Sequence, residues 1–85
     1  MLKIMIVDDA QFMRMRVNKL LTKHGYDVVE AEDGEEAVHT YRSIKPDAVL
    51  MDITMPRKDG LTALTEIRRH DPRARVIMLM ALGQQ

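Results

Sequence analysis

The stretch VLMDITMP, residues 49–56, decides the fold, because an apolar run there ends on a single carboxylate, Asp52, before a Thr-Met-Pro turn. Near the N-terminus the same pattern occurs as IMIV, residues 4–7, followed by Asp8 and Asp9. Continuous rather than alternating apolarity indicates strands that are buried on both faces, as in parallel sheets. If the two runs are neighbouring parallel strands, their three carboxylates meet at one edge of the sheet.

The composition sets the class of protein. The chain has 85 residues, 46% of them hydrophobic and 31% charged, which is typical of one small globular domain spanning residues 1–85. Thirteen basic and 13 acidic residues give zero net charge, so there is no electrostatic case for binding nucleic acid. There is no cysteine, and no apolar run approaches the ~18–20 residues of a membrane span. We therefore expect a cytoplasmic protein that binds neither nucleic acid nor membrane.

Apolar periodicity predicts alternating strands and helices along the chain. The strands are predicted at residues 4–7, 26–31, 47–52 and 75–80, and the helices at about 10–24, 33–45 and 61–70. Such alternation implies right-handed crossovers and a parallel α/β sheet with helices on its faces. In sheets of this kind, ligands bind outside the carboxyl ends of the strands, which is where Asp8, Asp9 and Asp52 lie.

Two of the predicted helices have clear local signals. The first has an apolar stripe that is expected to face the core, formed by Phe12, Met13, Val17, Leu20 and Leu21. Gly25 is a plausible left-handed stop for this helix. In the second helix, Asp33 can act as the N-cap and Glu36 can reach back to the preceding backbone.

Three carboxylates at one sheet edge repel each other unless a cation or a proton compensates them. All-oxygen ligands suit Mg²⁺, which also serves phosphoryl transfer. Asp52 would then be a nucleophile that forms an acyl phosphate. The alternative from spacing alone is structural: Asp8 and Asp9 cap the first helix, and Asp52 merely ends a strand.

The residues IMIVDD at 4–9, MDITMP at 51–56 and the Asp59-Gly60 that follows resemble the receiver domains of two-component response regulators. DDAQFMRM at residues 8–15 and GQQ at 83–85 are similar to the chemotaxis receivers found outside the enteric bacteria. The resemblance implies a flavodoxin-like, three-layer parallel sheet with the element order βαβαβαβ and the strand order 2-1-3-4.

The resemblance also implies roles for individual residues. Asp52 is the phosphorylation site, and Mg²⁺ is held by Asp8, Asp9, Asp52 and the backbone carbonyl of Thr54. The phosphoryl donor is a sensor histidine kinase or a small phosphodonor, and a flagellar motor switch protein is the implied output partner. Beyond its own phosphorylation and slow hydrolysis, the domain is not expected to be an enzyme.

The sequence departs from the family pattern near its C-terminus. Met80 aligns where receivers have a Ser or Thr, and no lysine follows a fifth strand. The family fold continues with a further helix, strand and helix, so a truncated or engineered fragment is expected. One sheet face would keep only the first helix, and the fourth strand would be a bare edge that favours homo-oligomers.

Two alternatives follow from these departures and from the acidic cluster. A receiver fragment could self-associate without being a competent phospho-switch. An aspartyl phosphatase of the haloacid-dehalogenase type would need a second Asp where Thr54 stands, so the sequence disfavours it.

Overall fold

Strands and helices alternate through the chain as the apolar pattern predicts. The structure is a computed structural model that describes residues 1–52 and 60–79. Its elements are β1 (Lys3–Val7), α1 (Gln11–Lys23), β2 (Asp27–Ala31), α2 (Gly34–Ile44), β3 (Ala48–Asp52), α3 (Gly60–His70) and β4 (Val76–Leu79). These boundaries agree with the predicted ones to within about a residue. Thr54, the 56–59 turn and Met80 lie outside the described residues.

The four strands form one parallel sheet in the order β2-β1-β3-β4, which confirms the predicted strand order. In the register, Val7 pairs with Ala31 of β2 on one side and with Met51 of β3 on the other. Asp52 pairs with Leu79 of β4. The carboxyl ends of β1 and β3 are therefore level, and the residues that follow Val7 lie beside Asp52.

Helices cover the two faces of the sheet unequally. The chain moves one way from β1 to β2 and the other way from β2 to β3 and β4, so right-handed crossovers place α1 alone on one face. We call this the α1 face and the opposite one the α2/α3 face. The α2/α3 face holds the main core, in which the largest fully buried side chains are Met5, Val7, Val49, Met51 and Ile67.

The expectation that the apolar stripe of α1 faces the core holds only in part, since Val17 and Leu21 are partly buried whereas Phe12, Met13 and Leu20 are exposed. None of the residues of α1 is buried, and Phe12 is 68% and Leu20 56% exposed. The helix lies over β1 and β2. Beyond it on the same face, Ile77 and Leu79 of β4 are 53% and 44% exposed, with no other helix of the described residues above them.

The N-termini of α1 and α2 are capped differently. The Asp33 carboxylate accepts a hydrogen bond from the Glu36 N–H at 2.8 Å, which confirms the predicted cap of α2. Glu36 in turn accepts from the Glu32 N–H at 2.8 Å, one residue earlier than the capping-box pattern. The N-cap of α1 is Ala10, which has no side-chain acceptor. Gly25, with φ +91°, adopts the predicted left-handed conformation after α1.

Candidate metal centre

Three carboxylates meet at the carboxyl edge of the sheet. Asp8 and Asp9 follow β1, and Asp52 is the last residue of β3. One carboxylate oxygen from each of the three lies within 4.8 Å of the others. Asp8 and Asp52 are half-buried and Asp9 is exposed. The juxtaposition that the two strand ends predict is therefore present, and it opens to solvent on the side of Asp9.

A tight turn carries the chain from β1 into α1 across this edge. The Asp8 N–H donates to the Ala31 carbonyl at 3.2 Å, one residue beyond the last register pair of β1 and β2. The Asp8 side chain accepts from the Ala10 N–H at 2.9 Å, an Asx-type turn. One oxygen of Asp8 is therefore tied to the local backbone, and the side chain also contributes an oxygen to the cluster with Asp9 and Asp52.

Burial raises the pKa of the Asp8 carboxyl above its ordinary value, and the charges of Asp52 and Asp9 and a side-chain hydrogen bond with Asp52 raise it further. The hydrogen bond from the Ala10 N–H opposes this shift. A carboxyl whose ionisation is disfavoured by its neighbours is stabilised in its charged form by any cation placed between them.

The donor set fits a hard divalent cation. Mg²⁺ binds oxygen ligands at about 2.1 Å, so two oxygens on opposite sides of the ion are about 4.2 Å apart. The three carboxylates each bring one oxygen within 4.8 Å of the other two, a separation comparable to that of oxygens around a single ion. Asp8, Asp9 and Asp52 are thus suitable ligands, while Thr54, the fourth predicted ligand, lies outside the described residues.

An arginine that the sequence did not single out contacts this edge. Arg14 Nη1 donates to the Asp8 carbonyl at 2.7 Å, and Arg14 Nε donates to Glu30 Oε1 at 3.0 Å. Glu30 Oε2 accepts from Asn18 at 2.6 Å. Arg14 was assigned no role from the sequence. A signal was present, since Arg14 and Asn18 are four residues apart on one helix face and Glu30 interrupts the apolar residues of β2.

The described residues contain no helix that is both long enough and apolar enough to cross a membrane. This finding concerns the helices within residues 1–52 and 60–79 only.

Comparison with known proteins agrees with the observed fold. A family model described as the response regulator receiver domain matches residues 4–85. The chemotaxis protein CheY of Bacillus subtilis is 56% identical over 98% of this chain, which spans 70% of that protein.

Two solved structures have the same fold. CheY of Borrelia burgdorferi, in a complex with CheX, BeF3 and Mg²⁺, superposes with a TM-score of 0.90 at 41% identity, covering 99% of this chain and 65% of that one. The response regulator TrrA of Thermotoga maritima, in complex with Mg²⁺ and BeF, gives 0.92 at 37% identity, covering 98% and 72%. The chain belongs to the response regulator receiver domain family, and its relatives include CheY.

Proposed function

We propose that this chain is a two-component signalling receiver that accepts a phosphoryl group on Asp52 in the presence of Mg²⁺. The observation that supports it is the cluster of Asp8, Asp9 and Asp52, whose carboxylate oxygens lie within 4.8 Å of one another. In this proposal Asp8, Asp9 and Asp52, with the backbone carbonyl of Thr54, hold the ion. When bound, Mg²⁺ neutralises charge on the transferring phosphoryl oxygens.

The phosphoryl transfer itself uses one oxygen of Asp52. That oxygen attacks the phosphorus of a phosphohistidine in line with the P–N bond. The new P–O bond forms as the P–N bond breaks, and the electron pair of the P–N bond stays on that nitrogen. When the other ring nitrogen of the phosphohistidine carries a proton, the leaving group is a neutral imidazole. The product is an acyl phosphate on Asp52. Half-burial of Asp52 leaves this carboxylate reachable from outside.

The identity with CheY supports a chemotaxis form of this proposal. The donor is then a sensor histidine kinase, the output partner is a flagellar motor switch protein, and the site of action is the cytoplasm. No catalytic activity beyond self-phosphorylation and slow self-dephosphorylation is proposed. Mixing the chain with radiolabelled phosphorylated kinase tests the donor, because the label must move to this chain and must fail to move to the Asp52→Asn variant.

A small phosphodonor tests the phosphoacceptor without any partner. The chain is incubated with acetyl phosphate and Mg²⁺ and its intact mass is measured. We expect the mass of one added phosphoryl group, and none in Asp52→Asn. Asp27→Asn is the matched control, because Asp27 is an exposed aspartate at the opposite, amino end of β2. An adduct that persists in Asp52→Asn, or no adduct in a folded chain that binds Mg²⁺, contradicts the proposal.

A second candidate function is self-association, in a receiver-derived module that does not switch. The observation that favours it is the uncovered half of the α1 face, where Ile77 and Leu79 are 53% and 44% exposed. Within the described residues β4 also has β3 as its only neighbour, so one edge of its backbone is free to pair with a strand of a second copy.

Sedimentation velocity over a concentration series tests self-association. We expect a concentration-dependent dimer that Ile77→Lys weakens, because the charge would be placed on the uncovered face. Leu61→Lys is the control, since Leu61 is a 60% exposed leucine on α3, which lies on the opposite face. A chain that stays monomeric at every concentration contradicts this candidate and leaves the phosphoacceptor proposal untouched.

A further inference from the structure

Arg14 is a largely enclosed cation beside the acidic cluster. Its side chain is only 12% exposed, although it lies on a helix none of whose residues is buried overall. Its guanidinium donates in two directions, from Nη1 to the Asp8 carbonyl at 2.7 Å and from Nε to Glu30 at 3.0 Å. A planar guanidinium can satisfy two acceptors in this fixed relation, whereas the point charge of a lysine cannot.

The bond to Asp8 completes the hydrogen bonding of that residue's backbone. The Asp8 N–H is held by Ala31 of β2 at 3.2 Å. The Asp8 carbonyl lies beyond the last register pairs of β1, Val7 with Ala31 and with Met51, and it receives Arg14 instead of a strand. That carbonyl belongs to the peptide that joins Asp8 to Asp9. Its orientation therefore sets the directions in which both carboxylates leave the backbone.

Glu30 holds Arg14 in place and is itself fully engaged. One of its oxygens accepts from Arg14, and the other accepts from Asn18 at 2.6 Å. Asn18 in turn accepts from the Thr22 hydroxyl at 2.9 Å, so the series of bonds continues down α1. Because both oxygens of Glu30 are occupied, Glu30 neutralises Arg14 rather than joining the acidic cluster.

We propose that Arg14 is a positioning residue for the cation site. Glu30 holds Arg14, and Asn18 holds Glu30. Arg14 in turn fixes the Asp8–Asp9 peptide in the orientation that points both carboxylates at the ion. This inference rests on the proposed Mg²⁺ site. Two effects of Arg14 on the site have opposite signs. Its positive charge repels a cation and weakens binding, whereas its hold on the peptide strengthens binding. The sign of the change on removing Arg14 therefore identifies the dominant effect.

The experiment is a calorimetric titration with MgCl₂ of the whole chain and its variants, each first shown to be folded by circular dichroism. We expect Arg14→Gln and Arg14→Lys both to bind Mg²⁺ about tenfold more weakly than the wild type, as is usual when a group that orients metal ligands is lost. Arg16→Gln and Arg16→Lys are the matched controls, because Arg16 lies on the same helix over the Phe12 ring. They should stay within about twofold of the wild type, since exposed charges act weakly.

If the Arg14 variants do not fold, an uncharged substitution can test the same hydrogen-bond network. Asn18→Ala changes no charge but frees one oxygen of Glu30, and it should weaken Mg²⁺ binding by a smaller factor than Arg14→Lys. Binding by folded Arg14→Lys or Asn18→Ala that equals the wild type overturns the inference. Tighter binding by Arg14→Gln than by Arg16→Gln also overturns it. A wild-type chain that binds no Mg²⁺ is a different outcome, because it contradicts the proposed function itself.

Amide hydrogen exchange gives a second readout that needs no ion. Loss of the Arg14 bond frees the Asp8–Asp9 peptide, so the Ala10 amide, which donates to the Asp8 carboxylate, should exchange faster in Arg14→Lys. The amides of β3, across the site, should be unchanged. Faster exchange throughout β1 and β3 would instead indicate a general loss of stability and would contradict a local positioning role.

Discussion

The two faces of the sheet bury their helices to different degrees, although Ile6 of β1 is only 3% exposed on the α1 face. On the α2/α3 face, apolar side chains make the contact, and Met5, Met51 and Ile67 are at most 1% exposed. On the α1 face, no helix residue is buried, and polar bonds from Arg14 and Asn18 to Glu30 connect α1 to β2. Apolar burial is nondirectional and supplies most of the stability, whereas hydrogen bonds fix orientation.

The acidic cluster lies where the two faces meet. Asp8 and Asp9 lead directly into α1, while Asp52 ends β3, whose buried side chains belong to the α2/α3 core. One half of the site is therefore positioned by the buried apolar core. The geometry of the other half depends on a few polar bonds.

The largest effect is expected from a matched pair of isoleucines. Ile67 on α3 is 1% exposed and Ile77 on β4 is 53% exposed. Ile67→Ala should lower the free energy of unfolding by about 2–5 kcal/mol, because it leaves a cavity in the core. Ile77→Ala should lower it by about 1 kcal/mol or less. Urea denaturation measures both.

If Ile67→Ala is too unstable to fold, Ile67→Val against Ile77→Val gives the same ranking on a smaller scale. Equal losses at the two positions would show that the α1 face is as well covered as the α2/α3 face, contrary to the observed exposures.

A medium effect is expected at the two helix starts. Asp33→Ala removes the side-chain cap of α2 and should lower the free energy of unfolding by about 1 kcal/mol. Ala10 occupies the same position in α1 with an extended backbone and no cap, so Ala10→Ser should raise it by about 0.5–1 kcal/mol. Thermal denaturation monitored at 222 nm measures both changes, because each kcal/mol shifts the melting temperature by on the order of a few degrees. A stabilising Asp33→Ala or a destabilising Ala10→Ser would be inconsistent with the capping described above.

The smallest change in the free energy of unfolding is expected from Asp8→Asn, measured in the absence of Mg²⁺. The pKa of Asp8 is raised in the folded protein, so the folded state binds this proton more tightly than the unfolded state. Ionisation of Asp8 therefore costs stability as pH rises from the ordinary pKa of 3.8 through the raised one. Asp8→Asn keeps the acceptor for the Ala10 N–H but removes the charge.

At neutral pH this substitution should stabilise the metal-free chain by less than about 1 kcal/mol. The gain should disappear below pH 3.8, where Asp8 is protonated in both states. Asp27→Asn, on an exposed carboxylate, serves as the control. A gain that is unchanged at low pH would contradict the assigned cause.

Much of the architecture could be predicted from sequence because the signals are local. Continuous apolar runs at residues 4–7 and 48–51 indicate buried parallel strands, and Asp33 with Glu36 indicates a helix start. The meeting of Asp8 with Asp52 followed from the two strand ends alone. The low degree of burial of α1 could not be predicted in this way. Periodicity shows which side of a helix is apolar, but not how much of the sheet lies opposite it.

The Arg14 network was missed for a related reason. An arginine between apolar residues of an amphipathic helix is most often solvated, and only the packing of α1 on β2 shows that Glu30 faces it. Lys45, after α2, adopts φ 52°, which the sequence also did not indicate, because glycine is the residue usually found in that conformation.

The most direct test of the central claim is a calorimetric Mg²⁺ titration of the wild type, Asp9→Asn and Asp27→Asn. Asp9 is the exposed member of the cluster, so its replacement by Asn disturbs the fold least. If the three carboxylates form one cation site, the wild type and Asp27→Asn bind one ion per chain, and Asp9→Asn binds it about tenfold or more weakly. Equal binding by Asp9→Asn, or no binding by the wild type, would contradict the account.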